Sequence, residues 1–386
     1  MRKTHNRGLQ VHWGSGLLVC LPWLILGLFA GDARGVLFYS TSDPEFNTVA
    51  PDGEFAGSGW RHHGLWGKFT GVVIGPRQFI TVGHVRGSPG DLFVLDGKEY
   101  RTLVSYDHSG SDLTIWTVCG RFPDFAELYD KDDETGSEAV VFGRGTQRGE
   151  EVVLPGVLGD ELKGWRWGAS DSRLRWGENT VAGTSDDSGI GPFVTGSPAE
   201  AGDSVGPLLR LDFNADGGVN QAHLSAGDSG GGLFIREGST WKLAGINYAV
   251  DGPYNTEDSG DGFDAAIFDE GGLYKRNNGE WSRTSDLPTE QPGSFYVIRI
   301  SAHRDWIEGI LEETEIDGPS VRLEWAASLD GEYSRDLEAE VNEEEREIRT
   351  AIPESDDKRF FRIESCAPRE ISAISEKDQV IVIHFK

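Results

Sequence analysis

The chain has 386 residues, with 52 glycines, 3 cysteines and a formal net charge of −28 at pH 7. This length is enough for two or three domains with a substantial apolar core. A chain this acidic repels nucleic acid and anionic membranes, which excludes both as expected partners. The sequence has no nucleotide-binding loop, repeat or heptad pattern, and we expect a monomer that requires no cofactor.

The first 33 residues have the layout of a secretory signal peptide. The start is basic, an apolar run covers residues 16–30, and small residues follow at Gly31 and Ala33. An uncleaved membrane anchor is the alternative, but the run contains Pro22 and is short for a membrane span. The pattern predicts that residues 1–33 are removed and that the protein is secreted or periplasmic, without membrane contact after cleavage.

Two stretches are typical of strands with a chemically useful residue at one end. Residues 79–85, Phe-Ile-Thr-Val-Gly-His-Val, form an apolar run rich in β-branched residues, with His84 near its end. Residues 111–118 begin Ser-Asp and then alternate apolar with polar side chains. The sequence therefore predicts His84 at the end of one strand and Asp112 at the start of another.

The stretch Ser-Ala-Gly-Asp-Ser-Gly-Gly-Gly at residues 225–232 is typical of a nucleophilic serine. A serine hydroxyl needs a general base within hydrogen-bond reach and N–H donors aimed at the oxyanion that it creates. Glycine permits backbone angles that turn N–H groups inward, so the N–H groups of Gly227 and Ser229 are candidates for an oxyanion hole. A glycine-rich surface turn is the alternative interpretation of this stretch alone.

The order of the candidate residues separates two kinds of serine hydrolase. Residues 227–231 also fit the G-x-S-x-G nucleophile elbow, in which a helix follows the serine and the histidine comes later in the chain. An esterase of that kind would have to use His303 or His384. However, a strand, a turn and a second strand are predicted after Ser229, and the candidate histidine and aspartate both precede it.

These three stretches resemble the motifs of the chymotrypsin-like serine proteases. Residues 81–84, Thr-Val-Gly-His, are similar to the family's T-A-A-H, residues 112–115 are similar to D-I-A-L, and residues 227–231 match G-D-S-G-G. The resemblance assigns residues 34–312 to a protease domain. It implies an all-β fold of two antiparallel six-stranded β-barrels with a C-terminal helix, and a site in the cleft between the barrels.

The resemblance also implies a function. Ser229 would be the nucleophile, His84 the general base and Asp112 the residue that orients it, with the Gly227 and Ser229 N–H groups as the oxyanion hole. The chain would then be a serine endopeptidase that acts on polypeptides. Val85 stands where animal members have a cysteine, which favours a bacterial-type member. The alternative is a non-catalytic secreted binding or adhesion protein on a protease-like scaffold.

Substrate-binding residues follow from the same resemblance. The position six before the nucleophile, at the base of the family's specificity pocket, is His223 here. Asn247, Tyr248 and Val250 belong to the strand that lines the cleft, where the last two replace small residues. We expect a restricted or apolar pocket, in which His223 favours acidic side chains. The family's I-V-G-G start is absent, so Asp228 is expected to have a partner other than a freed amine.

One acidic turn is similar to the opening of a calcium loop. Asp212, Asn214 and Asp216 place oxygen side chains at the first, third and fifth positions, with Gly217 at the sixth, as in an EF-hand. The twelfth position is His223 instead of a bidentate glutamate, and the flanks are not predicted to be helical. A calcium site and a plain Asx-rich turn both stay open.

Tryptophans and cysteines are assigned to the interior. Trp165, Trp167 and Trp176 lie beside arginines, and core packing is the preferred interpretation over a stacking surface for substrate. Cys119 lies in an apolar strand and Cys366 in a separate predicted module. Two unpaired thiols are therefore favoured over a disulfide.

The chain is predicted to end in a helix, a linker and a small module. A closing helix near residue 306 would place Trp306, Ile307 and Ile310 on one apolar face. Residues 313–320 form an acidic linker. Residues 321–386 contain short alternating runs separated by turns, which predicts a small β-sandwich-like module of unknown role.

Overall fold

The computed structural model describes residues 35–157, 159–185, 206–277 and 279–314, together with 321–386 except 329–330, 332–333, 337, 343–344, 352–358, 366–370 and 378–379. The predicted signal peptide, linker residues 315–320 and Cys366 lie outside the described residues. No described helix is long and apolar enough to cross a membrane. Cys119 is half-buried and its thiol is free.

The first barrel is formed by six antiparallel strands. After a short strand β1, Leu37–Phe38, these strands are β2 His63–Trp66, β3 Phe69–Val73, β4 Gln78–Val82, β5 Leu92–Leu95, β6 Lys98–Asp107 and β7 Leu113–Val118. They close in the order β2-β3-β4-β7-β6-β5. Inside, the rings of Phe79 and Phe93 stack with their centroids 4.0 Å apart. β4 is buried along its whole length, which agrees with its nearly continuous apolar sequence.

The second barrel is interrupted by inserted strands. The strands from residue 138 to residue 299 are β8 Glu138–Gly143, β9 Arg148–Gly156, β10 Gly159–Trp167, β11 Arg175–Ser185, β12 Leu208–Asp212, β13 Ala222–His223, β14 Gly232–Glu237, β15 Thr240–Val250, β16 Tyr254–Asn255, β17 Ala265–Ile267, β18 Tyr274–Asn277, β19 Glu280–Arg283 and β20 Ser294–Arg299. Six of them close a barrel in the order β11-β12-β20-β15-β14-β8.

Among the described residues up to 314, the strands outside the two barrels form three small sheets. Strands β9 and β10 make a hairpin that pairs with β17, and β16, β18 and β19 make a second sheet. Strand β1 pairs with β13, with Leu37 opposite His223. The hairpin lies between β8 and β11 in the chain, and the second sheet lies between β15 and β20. Both insertions therefore extend loops that connect strands of the second barrel.

One apolar cluster holds the two barrels together. It combines Val72 and Ile80 of the first barrel with Phe142 and Ile246 of the second. The same cluster contains Ile307, which is fully buried. Short 3-10 turns at Gly53–Phe55, Trp60–His62, Gly83–Val85 and Ser301–His303 complete the connections, and the last leads into helix α1, Arg304–Thr314.

The C-terminal region forms two further antiparallel sheets. Its strands are β21 Val321–Ala326, β22 Ser334–Arg335, β23 Glu340–Asn342, β24 Glu347–Ala351, β25 Phe360–Ser365, β26 Ile371–Lys377 and β27 Val380–Phe385. One sheet has the order β22-β21-β25 and the other β23-β24-β27-β26. Leu323 from the first sheet and Ile348 and Ile383 from the second share one apolar cluster. The predicted all-β class, with two six-stranded barrels, a helix after them and C-terminal sheets, is confirmed.

Candidate active site

Antiparallel pairing brings His84 and Asp112 together. Strands β4 and β7 run side by side, so the end of β4 meets the start of β7. The N–H of Gly83 donates to the carbonyl oxygen of Asp112 at 2.7 Å, and the 3-10 turn that follows presents His84. A Cβ at Gly83 would lie 2.9 Å from Asp112 Oδ1, so this position leaves no room for a larger residue.

His84 lies between Asp112 and Ser229. Its backbone N–H donates to Asp112 Oδ1 at 3.0 Å, and its Nδ1 lies 2.6 Å from Asp112 Oδ2. On the other side, Nε2 lies 2.9 Å from Ser229 Oγ. When Nδ1 carries the proton and donates it to Asp112, Nε2 has the lone pair and can accept the serine proton. The structure therefore brings the three predicted residues together in hydrogen-bonded order.

Two consecutive turns carry Ser229. The first is closed by the Asp228 N–H, which donates to the carbonyl oxygen of Ser225 at 3.1 Å, and it has Gly227 at φ 100° in its third position. The second starts at Asp228, is closed by a 3.1 Å bond and has Gly230 at φ 78° in its third position. A positive φ at this position is the mark of a type II turn and explains why glycine occupies it.

The same turns leave two N–H groups beside the hydroxyl of Ser229. Within the described part of the chain, no backbone carbonyl accepts the N–H of Gly227 or of Ser229. The carbonyl oxygen of Ser229 accepts the N–H of Thr70 at 3.3 Å, which ties the loop to the first barrel. N–H donors beside a nucleophile are what an oxyanion hole requires. Both residues line the cleft beside His84, and their role as an oxyanion hole stays a prediction.

Backbone N–H groups surround the carboxyl group of Asp228. Its Oδ1 accepts the N–H of Gly145 at 2.6 Å, and its Oδ2 accepts the N–H of Ser225 at 2.7 Å and lies 3.1 Å from the Ser225 hydroxyl. Burial raises the pKa of Asp228 to about 7, while these hydrogen bonds and the charge of Arg175 act in the opposite direction. The loop thus gives Asp228 a partner other than an amine, as expected from the sequence.

A cleft of about 420 Å³ opens beside His84 and Ser229. The predicted residues Asn247, Tyr248 and Val250 line it. Polar and aromatic lining residues that the sequence analysis did not assign to the cleft are Lys68, Thr146, Trp167, Ser170 and Ser172. They come from a tight turn, from the loop after β8 and from the end of β10 and the loop that follows. Apart from Trp167, no motif in the sequence marks these positions.

The tryptophans divide between core and cleft. Trp165 and Trp176 are 5% and 8% exposed and pack inside, which agrees with the preferred interpretation. The guanidinium of Arg148 lies 4.2 Å from the ring centroid of Trp165. Trp167 instead lines the cleft, which fits the alternative of a surface for substrate better than the preferred interpretation of core packing. A register shift between residues 165 and 167 of β10 accounts for the difference, because a bulge redirects the side chains that follow it.

His223 does not line the cleft, which corrects the sequence-based prediction. The residue is 1% exposed, and the centroid of its ring lies 5.3 Å from the ring centroid of Phe213 and 5.6 Å from that of Phe295. Its Nδ1 lies 2.6 Å from the carbonyl oxygen of Leu224. Burial lowers the pKa of His223 to about 4, so the ring is neutral in the fold. Pairing with β1 places His223 in the core.

Asp212, Asn214 and Asp216, which the sequence left open as a calcium site, lie in a turn where each side chain has a protein partner or is exposed. Oδ1 of Asp212 accepts the hydroxyl of Ser294 at 2.8 Å and lies 3.3 Å from Arg210 Nε. The Asn214 amide donates to the Asp212 carbonyl at 3.3 Å, as in a plain polar turn, and Asp216 is exposed. Across the described residues, no three His, Cys, Asp or Glu side chains are grouped to hold a metal.

Comparison with known proteins gives only distant structural similarities. No family model and no curated protein match the chain. It is similar to the active form of the Rv3671c protease from M. tuberculosis, at 15% identity and a TM-score of 0.36, over 67% of this chain and 87% of that chain. It is also similar to a mutant of human heparin binding protein, at 13% identity and a TM-score of 0.39, over 70% of this chain and all of that chain.

Identities and TM-scores this low support no inference about function. The topology of the chain itself identifies the fold. Two closed barrels of six antiparallel strands, followed by a helix, are the architecture that the sequence motifs imply. The chain therefore has the chymotrypsin-like fold.

Proposed function

We propose that the chain is a secreted serine endopeptidase in which Ser229 is the nucleophile. The observation that carries this proposal is the pair of short contacts at His84, 2.9 Å from Nε2 to Ser229 Oγ and 2.6 Å from Nδ1 to Asp112 Oδ2. These contacts join a hydroxyl, a base and an orienting carboxylate beside an open cleft. The signal peptide predicted for residues 1–33 supports secretion to the periplasm or the medium.

The first half of the reaction forms an acyl-enzyme. Ser229 Oγ attacks the carbonyl carbon of the scissile bond while its proton moves to His84 Nε2. Asp112 accepts a hydrogen bond from the Nδ1–H group throughout, which keeps the ring in the required tautomer and stabilises the imidazolium. The N–H groups of Gly227 and Ser229 bind the oxyanion. The carbon–nitrogen bond then breaks, and His84 gives its proton to the leaving amine.

The second half uses water in place of the serine. Water attacks the acyl carbon and loses a proton to His84 Nε2. The ester bond to Ser229 Oγ breaks, and the serine oxygen takes the proton back from His84. The carboxylic acid product leaves, and the site returns to its starting state without any other reactant.

Fluorophosphonate labelling tests this proposal, because the probe reacts only with an activated serine. The purified protein should be labelled, and Ser229→Ala and His84→Ala should abolish labelling. Matched controls are Ser239→Ala, in the exposed turn between β14 and β15, and His384→Ala, which removes one of the two histidines that an elbow enzyme could use. Both controls should be labelled like the wild type.

Two results would overturn the proposal. A folded wild type without labelling would favour the binding-protein alternative. Labelling that persists in His84→Ala but is lost in His384→Ala would favour an elbow esterase. Cleavage of an unlabelled polypeptide by the wild type, absent in Ser229→Ala, would then distinguish a peptidase from an esterase.

A further inference from the structure

Three residues that line the cleft carry a buried polar atom without a hydrogen-bond partner among the described residues. These atoms are the hydroxyl oxygen of Thr146, the indole nitrogen of Trp167 and the amide oxygen of Asn247. The amide nitrogen of Asn247 donates to two backbone carbonyls at 2.7 and 3.0 Å. These two bonds assign the nitrogen and the oxygen of the amide, so the unpaired atom is the oxygen. Unpaired buried polar atoms are rare, and in a cleft they indicate hydrogen bonds that a ligand completes.

The charged groups at this cleft are either engaged or exposed. Both carboxyl oxygens of Asp228 are bonded to Gly145 and Ser225. Lys68 is exposed, with its amine 5.3 Å from the centroid of the Phe69 ring. A cationic side chain would therefore find no uncommitted carboxylate among the described lining residues. Among the same residues, an anionic side chain would find only the exposed Lys68 amine as a charged partner, and an exposed ion pair contributes little.

The three unpaired groups are complementary to a ligand group that has both a hydrogen-bond donor and an acceptor. The Trp167 indole only donates, the Asn247 amide oxygen only accepts, and the Thr146 hydroxyl does either. A carboxamide is the neutral side-chain group that offers a carbonyl oxygen and N–H donors together. Apolar lining residues, among them Leu224 and Val250, suit the methylene part of such a side chain.

We propose that the cleft selects a glutamine or asparagine side chain of the substrate, on the acyl side of the scissile bond. This proposal rests on the proposed function, which makes the cleft the binding site of a polypeptide. It replaces the sequence-based expectation of an apolar pocket in which His223 favours acidic side chains. Thr146 and Trp167 are then the residues that determine specificity.

Four peptides that differ only at the selected position, with Gln, Glu, Leu or Lys, test the proposal. We expect the wild type to cleave the Gln peptide with a kcat/KM about tenfold higher than the other three, because one or two neutral hydrogen bonds are worth about three- to tenfold each. Fluorescence anisotropy of the same peptides, labelled and bound to Ser229→Ala, should give the same order of affinity. A Glu, Leu or Lys peptide that equals or exceeds Gln in both assays would overturn the proposal.

Variants assign the preference to named groups. Thr146→Val removes a hydroxyl at nearly constant shape, and Trp167→Phe removes the indole N–H together with part of the ring. Each should lower the Gln-to-Leu ratio of kcat/KM about three- to tenfold. Thr146→Ser retains a hydroxyl and should restore the ratio. Thr117→Val is the matched control, because that hydroxyl faces the Val104 carbonyl in the first barrel. An unchanged ratio in both cleft variants would contradict the assignment.

The two proposals fail in different ways. Fluorophosphonate labelling without a Gln preference would refute the specificity proposal and retain the proposal that the chain is a serine hydrolase. A Gln preference in the binding assay without labelling would support the proposed specificity of the cleft and refute the proposed enzymatic activity. Because each ratio is taken within one variant, a partly unfolded preparation lowers both rates and leaves the ratio intact.

Discussion

Gly230→Ala should lower both the stability of the fold and the reactivity of Ser229, because the added Cβ would overlap neighbouring atoms. Gly230 has φ 78°, and a Cβ there would lie 2.1 Å from the carbonyl oxygen of Thr70 and 2.2 Å from Oγ1 of Thr81. The Thr81 hydroxyl already donates to that carbonyl at 2.9 Å, and the Thr70 N–H bonds the carbonyl of Ser229. Neither threonine can withdraw without disturbing the loop that carries the nucleophile.

The cost has two parts that can be separated. A non-glycine residue at positive φ costs about 1 to 2 kcal/mol. Forcing an extra methyl group into packed atoms adds about 1 to 3 kcal/mol. We therefore expect Gly230→Ala to lower the free energy of unfolding by about 2 to 5 kcal/mol. If the loop yields by about 1 Å, the rate of serine labelling should fall about 100-fold.

Gly238→Ala is the matched control, because it shares the backbone angle and lacks the overlap. Gly238 has φ 61°, and no heavy atom lies within 4 Å of its would-be Cβ. Urea unfolding followed by tryptophan fluorescence measures stability, and fluorophosphonate labelling measures the site. We expect a loss of about 1 to 2 kcal/mol for Gly238→Ala with an unchanged labelling rate. Equal losses in stability and labelling for the two variants would refute the steric explanation at Gly230.

Three further predictions concern titratable groups. Asp112→Asn replaces the carboxylate oxygen that faces His84 Nδ1 by an NH2 donor, which favours the wrong tautomer of the ring. The labelling rate should therefore fall about 10⁴-fold with little change in unfolding, and an unchanged rate would contradict the assigned role. Burial raises the pKa of Asp228 to about 7, so its contribution to stability is present below about pH 4 and lost as pH rises through about 7. In urea, the wild type should therefore lose up to about 1.4 kcal/mol per pH unit relative to Asp228→Asn across that window, and a constant difference would refute this sign. Burial lowers the pKa of His223 to about 4, so its contribution is present above about pH 6.5 and lost as pH falls toward 4. In urea unfolding, His223→Leu should lack that acid-induced loss of stability. The variant should also keep the wild-type peptide preference, and a changed preference would indicate that His223 contacts the substrate.

The predicted catalytic residues could be read from the sequence because each lies within a short, informative motif. The strand patterns before His84 and after Asp112 are local, and antiparallel pairing of those two strands brings the residues together. The turns around Ser229 are equally local, since glycine at their third positions is required by positive φ. The mutual distances follow from these elements, while the catalytic role itself stays a prediction.

The walls of the cleft could not be read in the same way. The hairpin of β9 and β10 pairs with β17, which places Arg166 opposite Ala265, about a hundred residues further along. The sequence shows only extra loops in both places, because such long-range pairing leaves no periodic signal in either segment. Trp167 is redirected by a bulge in the same hairpin. Similarly, His223 is drawn inward by its pairing with Leu37.

Asp228 illustrates how two separate motifs form one unit. The sequence shows that the family's amine-bearing start is absent, but it does not show what replaces the amine. In the structure, a Cβ at Gly143 would lie 2.0 Å from Asp228 Oδ1, and a Cβ at Gly145 would lie 2.4 Å from Oδ2. Glycine at both positions therefore makes room for the carboxyl group, and Gly145 also donates its N–H to it. The Gly-Arg-Gly at residues 143–145 belongs with the nucleophile loop, since it accommodates and binds the side chain next to Ser229.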